Sequence, residues 1–288
     1  MSSSANKIAI GTVQFGMDYG IANQKGKVSQ KEIQSILDLA YENGINTLDT
    51  AKSYGNSERS IGKYLKSSDF SWNIITKIGS VNNVIVQIKD SIEKINDKPR
   101  VVLAHSSDIF LNPTFQTELQ KAKDEELIKY YGVSLYNDDE INQVLDSGLK
   151  PDVAQLPMNI LDTRLYRHGS LGKLFAKGIE IHVRSAFLQG LFYLSKIDLE
   201  NRFEDVIPSL KKLKSISAAA GLTLPELSLL WLVNLKEVTK VIIGIDNVEQ
   251  LRMHLETLKK NVKLSVFEEA LSIHYENENI LNPSLWPS

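Results

Sequence analysis

The sequence predicts an α/β fold, a (β/α)8 TIM barrel, and three observations lead to this prediction. Short β-branched runs alternate with helical stretches along nearly the whole chain. Asp49, Lys77 and His105 close three successive apolar runs, and the interval between the first two equals that between the last two. The length of 288 residues suits one such barrel, for which about 250 residues is typical.

The predicted elements follow one another as strand and helix in strict order. Each strand is a short run rich in Val and Ile, and each helix repeats apolar residues every three or four positions. The predicted strands are residues 8–15, 45–51, 74–78, 101–105, 130–135, 153–156, 179–187 and 241–245. The predicted helices are residues 31–42, 57–66, 84–95, 114–126, 139–146, 171–177, 207–220, 225–235 and 248–258. An extra helix at residues 266–275 and a tail to residue 288 lie outside the eightfold repeat.

The spacing of these units favours a closed barrel over an open parallel sheet. Gly44, Gly148, Gly178 and Gly221 each follow a helical stretch, as glycines that end helices do. The Gly-x-Gly-x-x-Gly phrase, which an open dinucleotide-binding sheet carries after its first strand, is absent. No linker divides the chain, so we predict one domain over residues 1–288.

Composition excludes several classes of protein and site. The net charge of −2 and the lack of like-charge blocks indicate neither nucleic acid nor a membrane surface as partner. The sequence has no cysteine, which excludes disulfides, thiolate metal sites and a thiol nucleophile. No His or carboxylate cluster has metal-ligand spacing, so no metal site is predicted. The start lacks the apolar core of a signal peptide, and no apolar run could span a bilayer. We therefore expect a cytoplasmic enzyme.

Four residues carry the candidate chemistry, namely Asp49, Tyr54, Lys77 and His105. In a barrel, the carboxyl ends of the strands are where catalytic side chains gather. An ammonium beside a phenol favours the ionised phenol, and a nearby carboxylate keeps the ammonium charged. We interpret Tyr54 as the acid that protonates a substrate oxygen. Lys77 would favour the ionised form of the Tyr54 hydroxyl, and Asp49 would pair with Lys77. His105 would orient the substrate carbonyl by a hydrogen bond.

Each of the four residues alone has a plainer interpretation. A loop tyrosine commonly packs, a lysine at a strand end is commonly solvated, and a lone histidine is commonly a core residue. Asp49 with Thr50 could simply cap the following segment. One residue of each required type at consecutive strand ends favours the catalytic interpretation.

At these residues the chain resembles the aldo-keto reductase family. The resemblance includes Asp49-Thr-Ala-x-x-Tyr54-Gly-x-Ser-Glu, with Lys77 and His105 each closing a strand. It continues in Gly-Val-Ser at 132–134, in Arg-Ser-Ala-Phe-Leu-Gln-Gly-Leu at 184–191 and in Ile-Ile-Gly-Ile-Asp-Asn-Val-Glu-Gln-Leu at 242–251. It implies a barrel that binds an extended nicotinamide dinucleotide and reduces aldehydes or ketones.

The resemblance also implies where the cofactor binds. Residues matching Ser134 and Gln155 hold the nicotinamide carboxamide, residues 185–190 follow the pyrophosphate, and residues 244–250 meet the adenosine end. Loops after the last strands commonly form phosphate sites in barrels. The full predicted set is Gly11, Thr12, Ser134, Gln155, Arg184, Ser185, Phe187, Gln189, Gly190, Gly244, Ile245, Asp246 and Gln250.

Three positions depart from the family pattern. Leu135 follows Ser134 where the family often has a small residue and Asn. Arg184 stands where many members stack an aromatic on the nicotinamide, and a planar guanidinium can also stack on a ring. Asp246 stands near where many bacterial members grip the 2′-phosphate with a basic residue. NADP(H) is therefore the family expectation, and NAD(H) is the alternative because a carboxylate would repel that phosphate and could accept from a ribose hydroxyl.

The predicted reaction is NAD(P)H-dependent reduction of a small-molecule carbonyl compound. Phe15 and Tyr19 in the loop after the first strand, and Trp286 in the tail, are candidates to line the substrate pocket; loop anchoring and a frayed end are their plainer interpretations. The sequences at 11–20 and 183–190 are similar to those of a bacterial branch of the family found with surface-polysaccharide sugar pathways. This similarity suggests a keto-sugar as the substrate. Two rivals stay open, a non-catalytic cofactor-binding regulator and a Schiff-base enzyme that uses Lys77. The oligomeric state stays open as well.

Overall fold

A computed structural model describes residues 4–286 of the chain. Within that range, eight parallel strands close into a barrel in sequence order, which confirms the predicted (β/α)8 fold. Residues 287 and 288 of the predicted tail lie outside the described residues. The strands are β1 (Ile8–Gly11), β2 (Thr47–Asp49), β3 (Asn73–Ile78), β4 (Val101–Ala104), β5 (Tyr130–Ser134), β6 (Val153–Pro157), β7 (Glu180–Arg184) and β8 (Val238–Gly244).

Helices surround the barrel and cross from each strand to the next. In chain order they are α1 (Val13–Gly16), α2 (Gln30–Glu42), α3 (Ser57–Leu65), α4 (Val84–Ile95), α5 (Ser107–Leu111), α6 (Pro113–Asp124), α7 (Asp138–Asp146), α8 (Arg164–Arg167), α9 (Ser170–Ala176), α10 (Lys196–Arg202), α11 (Ile207–Ala219), α12 (Leu224–Asn234), α13 (Val248–Thr257), α14 (Leu264–Leu271) and α15 (Glu278–Leu281). Short 3-10 turns are Ala5–Lys7, Leu188–Tyr193, Glu204–Val206 and Pro283–Leu285.

Strand register brings the polar strand ends to one rim of the barrel. Asp49 is paired with Gly11 on one side and with Ile75 on the other, and Ser134 is paired with Gln155. The residues of β2, β4 and β6 are all buried, as is usual in all-parallel sheets that are covered on both faces. Asp49, Lys77 and Gln155 therefore lie on rigid strands, whereas Tyr54 lies on the loop between β2 and α3.

Local chemistry explains where several helices begin. Thr223 accepts a hydrogen bond from the Glu226 backbone N–H, and the Glu226 carboxylate accepts from the Thr223 backbone N–H, so α12 begins with a capping box. Ser29 caps α2 through the Glu32 backbone N–H. Asn247 caps α13 in the same way through the Gln250 backbone N–H.

The first strand is shorter than predicted because the chain turns at Thr12. β1 ends at Gly11, and α1 then packs directly on the loop that carries Tyr54. A Cβ placed on Gly16 would lie 1.8 Å from the Tyr54 carbonyl oxygen, so only glycine permits this approach. β7 likewise stops before the predicted residue 187, because Ser185 adopts a φ of 62°.

The C-terminal elements also differ from the prediction. The extra helix runs over Leu264–Leu271 rather than 266–275, and the chain then returns towards the open rim of the barrel through α15. Among residues 4–286, no single helix is long and apolar enough to cross a membrane. Two consecutive helical segments, Glu204–Ala219 and Leu224–Asn234, are together long and apolar enough, but the pair is bent by 79° at the break between them.

Candidate active site

A groove of about 450 Å³ opens at the carboxyl ends of the strands. It runs from Asp49, Tyr54, Lys77 and His105 past the loop after β7 to the segment after β8. The structure thus brings the four predicted catalytic residues and most of the predicted cofactor residues into one concave site. Sites of this size and position are typical of small-molecule binding in barrels.

The Lys77 ammonium is the centre of the catalytic cluster. Its Nζ lies 2.6 Å from Asp49 Oδ2, donates to the Thr50 carbonyl oxygen over 3.1 Å and lies 3.3 Å from the Tyr54 hydroxyl. The Lys77 side chain is 1% exposed. Burial opposes the ammonium charge, but the Asp49 carboxylate and the Tyr54 hydroxyl outweigh burial and raise the pKa of Lys77. Lys77 is therefore a fixed cation beside the phenol.

A buried chain of hydroxyl groups holds the loop that carries Tyr54. Thr12 Oγ1 donates to the Asp49 carbonyl oxygen over 2.9 Å, and Ser57 Oγ donates to the Thr12 carbonyl oxygen over 2.8 Å. Thr50 Oγ1 donates to Ser57 Oγ over 3.0 Å. Thr12, predicted to bind cofactor, borders the groove, but its hydroxyl already serves this network. Sequence reasoning did not assign a role to Ser57, although Ser57 belongs to the motif that contains Tyr54.

His105 faces the same groove from the end of β4. Its backbone N–H donates to the Ile78 carbonyl oxygen over 3.0 Å, which fixes the residue to the neighbouring strand. Burial, with the charges of Lys77 and Arg184, lowers the pKa of His105. The imidazole is neutral at neutral pH and keeps one N–H with which it can donate a hydrogen bond.

Gln155 connects the catalytic cluster to the predicted nicotinamide site. Its Nε2 donates to Asp49 Oδ1 over 2.7 Å, while its Oε1 is buried without a hydrogen-bond partner. Ser134 lies beside Gln155 in register and borders the groove. The pair therefore offers an acceptor and a hydroxyl, which match the two halves of a carboxamide.

The loop after β7 has an unusual backbone that borders the middle of the groove. Ser185, Leu188 and Gln189 all have φ between 48° and 62°, and Gly190 has φ of 98°. Within this turn the Leu188 N–H donates to the Ser185 carbonyl oxygen over 2.9 Å, and the Gly190 N–H donates to the Phe187 carbonyl oxygen over 3.0 Å. Asn159 Nδ2 donates to the Ser185 carbonyl oxygen over 3.1 Å and holds the loop in place. The segment is thus a fixed turn along the wall of the groove.

The far end of the groove is formed by the segment after β8. The Asp246 backbone N–H donates to Gln250 Oε1 over 2.7 Å, while Asp246 Oδ1 is buried without a partner. Burial raises the pKa of Asp246. A Cβ on Gly244 would lie 2.4 Å from Gln14 Nε2, so a larger residue here would displace the Gln14 amide. Ile245 is fully buried and does not border the groove, so its side chain serves the core and not the predicted cofactor contact.

Phe187 borders the groove and stacks on His254. The two rings are 5.0 Å apart between centroids and 7° from parallel. His254 lies on α13, is buried, and has Nε2 without a partner; burial lowers its pKa to about 4. The pair is thus an uncharged wall of the groove at neutral pH.

Arg184 lies against Tyr136 at the catalytic end of the groove. The guanidinium carbon is 4.2 Å from the centre of the Tyr136 ring, and Arg184 Nη2 is buried without a hydrogen-bond partner. Tyr19 borders the same region, as predicted from the loop after β1. Sequence reasoning missed Tyr136, although this residue closely follows Ser134 in the predicted motif; it also missed Gln14 and Tyr193, which border the far end.

Two predicted substrate-binding residues lie away from the groove, which corrects those predictions. Phe15 is fully buried in the core, because α1 turns its ring inward against the barrel, and it does not border the groove. Trp286 packs on Phe203 with ring centroids 4.8 Å apart and donates from Nε1 to the Ile280 carbonyl oxygen over 3.0 Å. The tail reaches the groove through residues 282–284 instead.

Comparison with known proteins identifies the family to which the chain belongs. The model of the Aldo/keto reductase family matches residues 7–273. L-galactose dehydrogenase from Arabidopsis thaliana is 26% identical, over 98% of this chain and 94% of the relative. NADH-specific methylglyoxal reductase from Escherichia coli is 26% identical, over 80% of this chain and 83% of the relative.

Solved structures show the same fold. An aldo-keto reductase from Bacillus halodurans in its holo form superposes with a TM-score of 0.76 at 20% identity, covering 94% of both chains. A glycerol dehydrogenase from Gluconobacter oxydans superposes with a TM-score of 0.74 at 17% identity, covering 93% of this chain and 90% of the other.

Proposed function

The chain belongs to the aldo/keto reductase family, and from this premise we propose that its groove reduces an aldehyde or ketone with Tyr54 as the proton donor. Family membership makes the protein an NAD(P)-dependent oxidoreductase. The observation that carries the finer proposal is the contact of one buried ammonium, Lys77, with both the Tyr54 hydroxyl and the Asp49 carboxylate. Such an arrangement suits proton delivery to an oxygen on which charge develops.

The residues of the groove fit a nicotinamide dinucleotide. When bound, this cofactor supplies the hydride that reaches the carbonyl carbon. The unpaired Gln155 Oε1 would accept from the carboxamide nitrogen, and the Ser134 hydroxyl would donate to the carboxamide oxygen. The left-handed turn at 185–190 would hold the pyrophosphate through those backbone N–H groups that are not bonded within the turn. These three features support the order of cofactor contacts that the resemblance implies.

The proton chemistry follows from the charges of the cluster. The Asp49 carboxylate balances the Lys77 ammonium, so the pair adds no net charge to the site. The ammonium stabilises negative charge on the phenol oxygen as Tyr54 gives up its proton. The neutral His105 ring would donate a hydrogen bond to the substrate oxygen and hold it near the Tyr54 hydroxyl.

We propose NADH as the preferred donor, although NADP(H) is the family expectation. Asp246 Oδ1 is buried at the far end of the groove and lacks a partner, so it could accept from a free ribose hydroxyl. An added 2′-phosphate would meet this carboxyl group, and no Lys or Arg lines that end of the groove among the described residues. The Lys25 charge reaches Asp246 from outside the lining, but burial outweighs it in the pKa of that carboxyl group. The relative named as NADH-specific supports the same preference by similarity alone.

For the substrate we propose a polyhydroxylated carbonyl compound of the keto-sugar class. The groove is lined by polar as well as apolar groups near Tyr54, including Tyr19 and Tyr136. One relative is named as a dehydrogenase of a sugar, which supports this class by similarity. The cytoplasmic location that the sequence predicts stays a prediction.

The proposal is tested by mixing the purified protein with NADH or NADPH and a panel of aldehydes, ketones and sugars. Oxidation of the cofactor that depends on the carbonyl compound is the expected result. Cofactor binding, read from tryptophan quenching, without turnover of any compound would favour the regulator. A borohydride-trapped adduct on Lys77 would favour the Schiff-base enzyme, which the buried contact with Asp49 opposes.

A further inference from the structure

Arg184 is a cation without a counter-ion at the catalytic end of the groove. Within residues 4–286 no carboxylate lies within ion-pair distance of its guanidinium, and its Nη2 is buried without an acceptor. The ring of Tyr136 covers one face of the guanidinium at 4.2 Å. A partly buried charge with an unused donor is costly unless something supplied from outside the chain pairs with it.

The groups around Arg184 in the groove lining, namely Tyr19, Tyr136 and His105, are uncharged at neutral pH and cannot serve as its counter-ion. Tyr19 and Tyr136 border the groove there, and neither hydroxyl has a hydrogen-bond partner within the described residues. Burial, with the neighbouring Tyr54, raises the pKa of Tyr19 to about 12, so its hydroxyl keeps its proton. His105, on the adjoining side, is a neutral ring whose pKa the Arg184 charge helps to lower.

The carboxylates of the groove cannot balance Arg184. Asp49 is already shared between Lys77 through Oδ2 and Gln155 through Oδ1. Asp246 is the other carboxylate that borders the groove within residues 4–286, and it lies at the opposite end beside Gln250. Lys77 and Asp49 cancel each other, which leaves Arg184 as the cation of the groove lining without a paired carboxylate. Behind the lining, Glu140 feels the Arg184 charge, but its carboxyl group accepts from the Tyr136 backbone N–H and forms no ion pair with Arg184.

We propose that the preferred substrate is an acidic carbonyl compound whose carboxylate is bound by the edge of the Arg184 guanidinium. This inference rests on the proposed function and narrows its substrate class. The reaction stays balanced: the nicotinamide gives two electrons as a hydride to the carbonyl carbon, Tyr54 gives its proton to the carbonyl oxygen, and the carboxylate is unchanged. Stacking uses the faces of a guanidinium and hydrogen bonding uses its edge, so Tyr136 leaves the edge available.

Matched pairs of substrates test the proposal with the intact chain and NADH. Succinic semialdehyde is compared with butanal, and glucuronate with glucose, because each pair differs mainly by a carboxylate. We expect kcat/KM to be at least about tenfold higher for the acidic member, as one charge-assisted hydrogen bond would give. The KM of the acidic member should rise with ionic strength, while that of the neutral member should not.

The Arg184→Gln variant separates the roles of this residue. We expect the ratio of kcat/KM for the acidic member over the neutral member to fall about tenfold or more, mainly through the KM of the acidic member, because any contact of Arg184 with the cofactor affects both members equally. Arg184→Lys should lose less, since it keeps the charge but not the planar fork. Arg59→Gln, which removes an exposed arginine of α3, is the control for loss of charge and should not change that ratio.

Three other outcomes would count against the inference or against the proposed function. Equal losses for both members with weaker NADH binding would show that Arg184 serves the cofactor, and the inference would be overturned. No preference for the acidic member in the wild-type protein would overturn it as well. Failure of the wild-type protein to oxidise NADH or NADPH with any carbonyl compound would instead count against the proposed function itself.

Discussion

Gln155 and Asp49 share a hydrogen bond of 2.7 Å between the amide Nε2 and the carboxylate Oδ1. The other carboxylate oxygen contacts Lys77. Asp49 thus joins the proton-donating end of the groove to the residue whose free amide oxygen faces the proposed nicotinamide site. A displacement of Asp49 would therefore disturb both functions together.

Replacing Tyr54 by Phe removes the proposed acid and little else. We expect turnover to fall by at least about a hundredfold, because general acid catalysis is typically worth that much. Cofactor affinity should be retained, since the Tyr54 hydroxyl contacts Lys77 and none of the predicted cofactor residues. Steady-state kinetics with tryptophan quenching measure both quantities. Unaltered turnover would refute the role of Tyr54.

The interval between Asp49 and Lys77 predicted their contact because both residues close strands of one parallel barrel. Each residue ends the strand of one strand–helix unit, and the regular length of these units appears in the sequence as equal intervals. The Arg184–Tyr136 contact joins the ends of β7 and the loop after β5, and no local pattern reports such a distant pairing. Phe15 was misplaced because β1 ends at Gly11, four residues before its predicted end, and Phe15 then lies in helix α1 with its ring buried in the core.

The C-terminal segment shows a second limit of the sequence. Trp286 was predicted at the pocket because C-terminal loops fold over the pocket mouth in the family that the chain resembles, but its ring packs on Phe203. The contact with the groove comes from residues 282–284, which are small or polar and show no periodicity. The position of the C-terminal segment depends on packing against residues far away in the chain, and the sequence of the segment itself does not indicate those partners.

Gly16→Ala tests the close approach of α1 to the loop of Tyr54. The added Cβ would lie 1.8 Å from the Tyr54 carbonyl oxygen, so the loop must move. We expect a lower melting temperature and a turnover at least about tenfold lower, since small displacements of a catalytic group are costly. Gly172→Ala is the control, because nothing lies within 4 Å of its Cβ; it should leave turnover unchanged. Equal turnover in the two variants would mean that the loop absorbs the added methyl group.

Asp246→Arg tests the proposed preference for NADH. The change replaces a buried carboxyl group by a cation that can pair with a 2′-phosphate. We expect the ratio of kcat/KM for NADPH over NADH to rise by about tenfold or more, as one charge-assisted contact would give. Glu249→Arg, an exposed site on α13, is the control and should leave the ratio unchanged. No change in the Asp246 variant would mean that this side chain does not face the ribose.

Gln155→Met tests the link between the two ends of the site. The variant has a similar volume but neither the donor to Asp49 nor the free acceptor. We expect NADH binding to weaken by about five- to thirtyfold, as the loss of one or two hydrogen bonds would give. Turnover should also fall, because Asp49 would be held by Lys77 alone. Retained affinity with lower turnover would restrict Gln155 to positioning Asp49.

His254 makes folding stability depend on pH in a defined window. Its pKa is about 4 in the folded protein, against about 6.5 in an unfolded chain. The folded pKa is the lower of the two, so the unfolded chain binds the proton more tightly, and stability is full above pH 6.5 and falls as the pH is lowered towards 4. The loss attributable to His254 reaches about 3 kcal/mol at most.

The His254→Leu variant isolates this contribution from those of the carboxylates. Its unfolding free energy, measured by urea titration, should fall less steeply between pH 6.5 and 4 than that of the wild-type protein. His274→Leu, at an exposed site after α14, should keep the wild-type slope. The comparison uses slopes because the leucine also removes the stack with Phe187. An identical slope for the His254 variant would mean that the ring binds a proton in the folded protein as readily as in the unfolded chain.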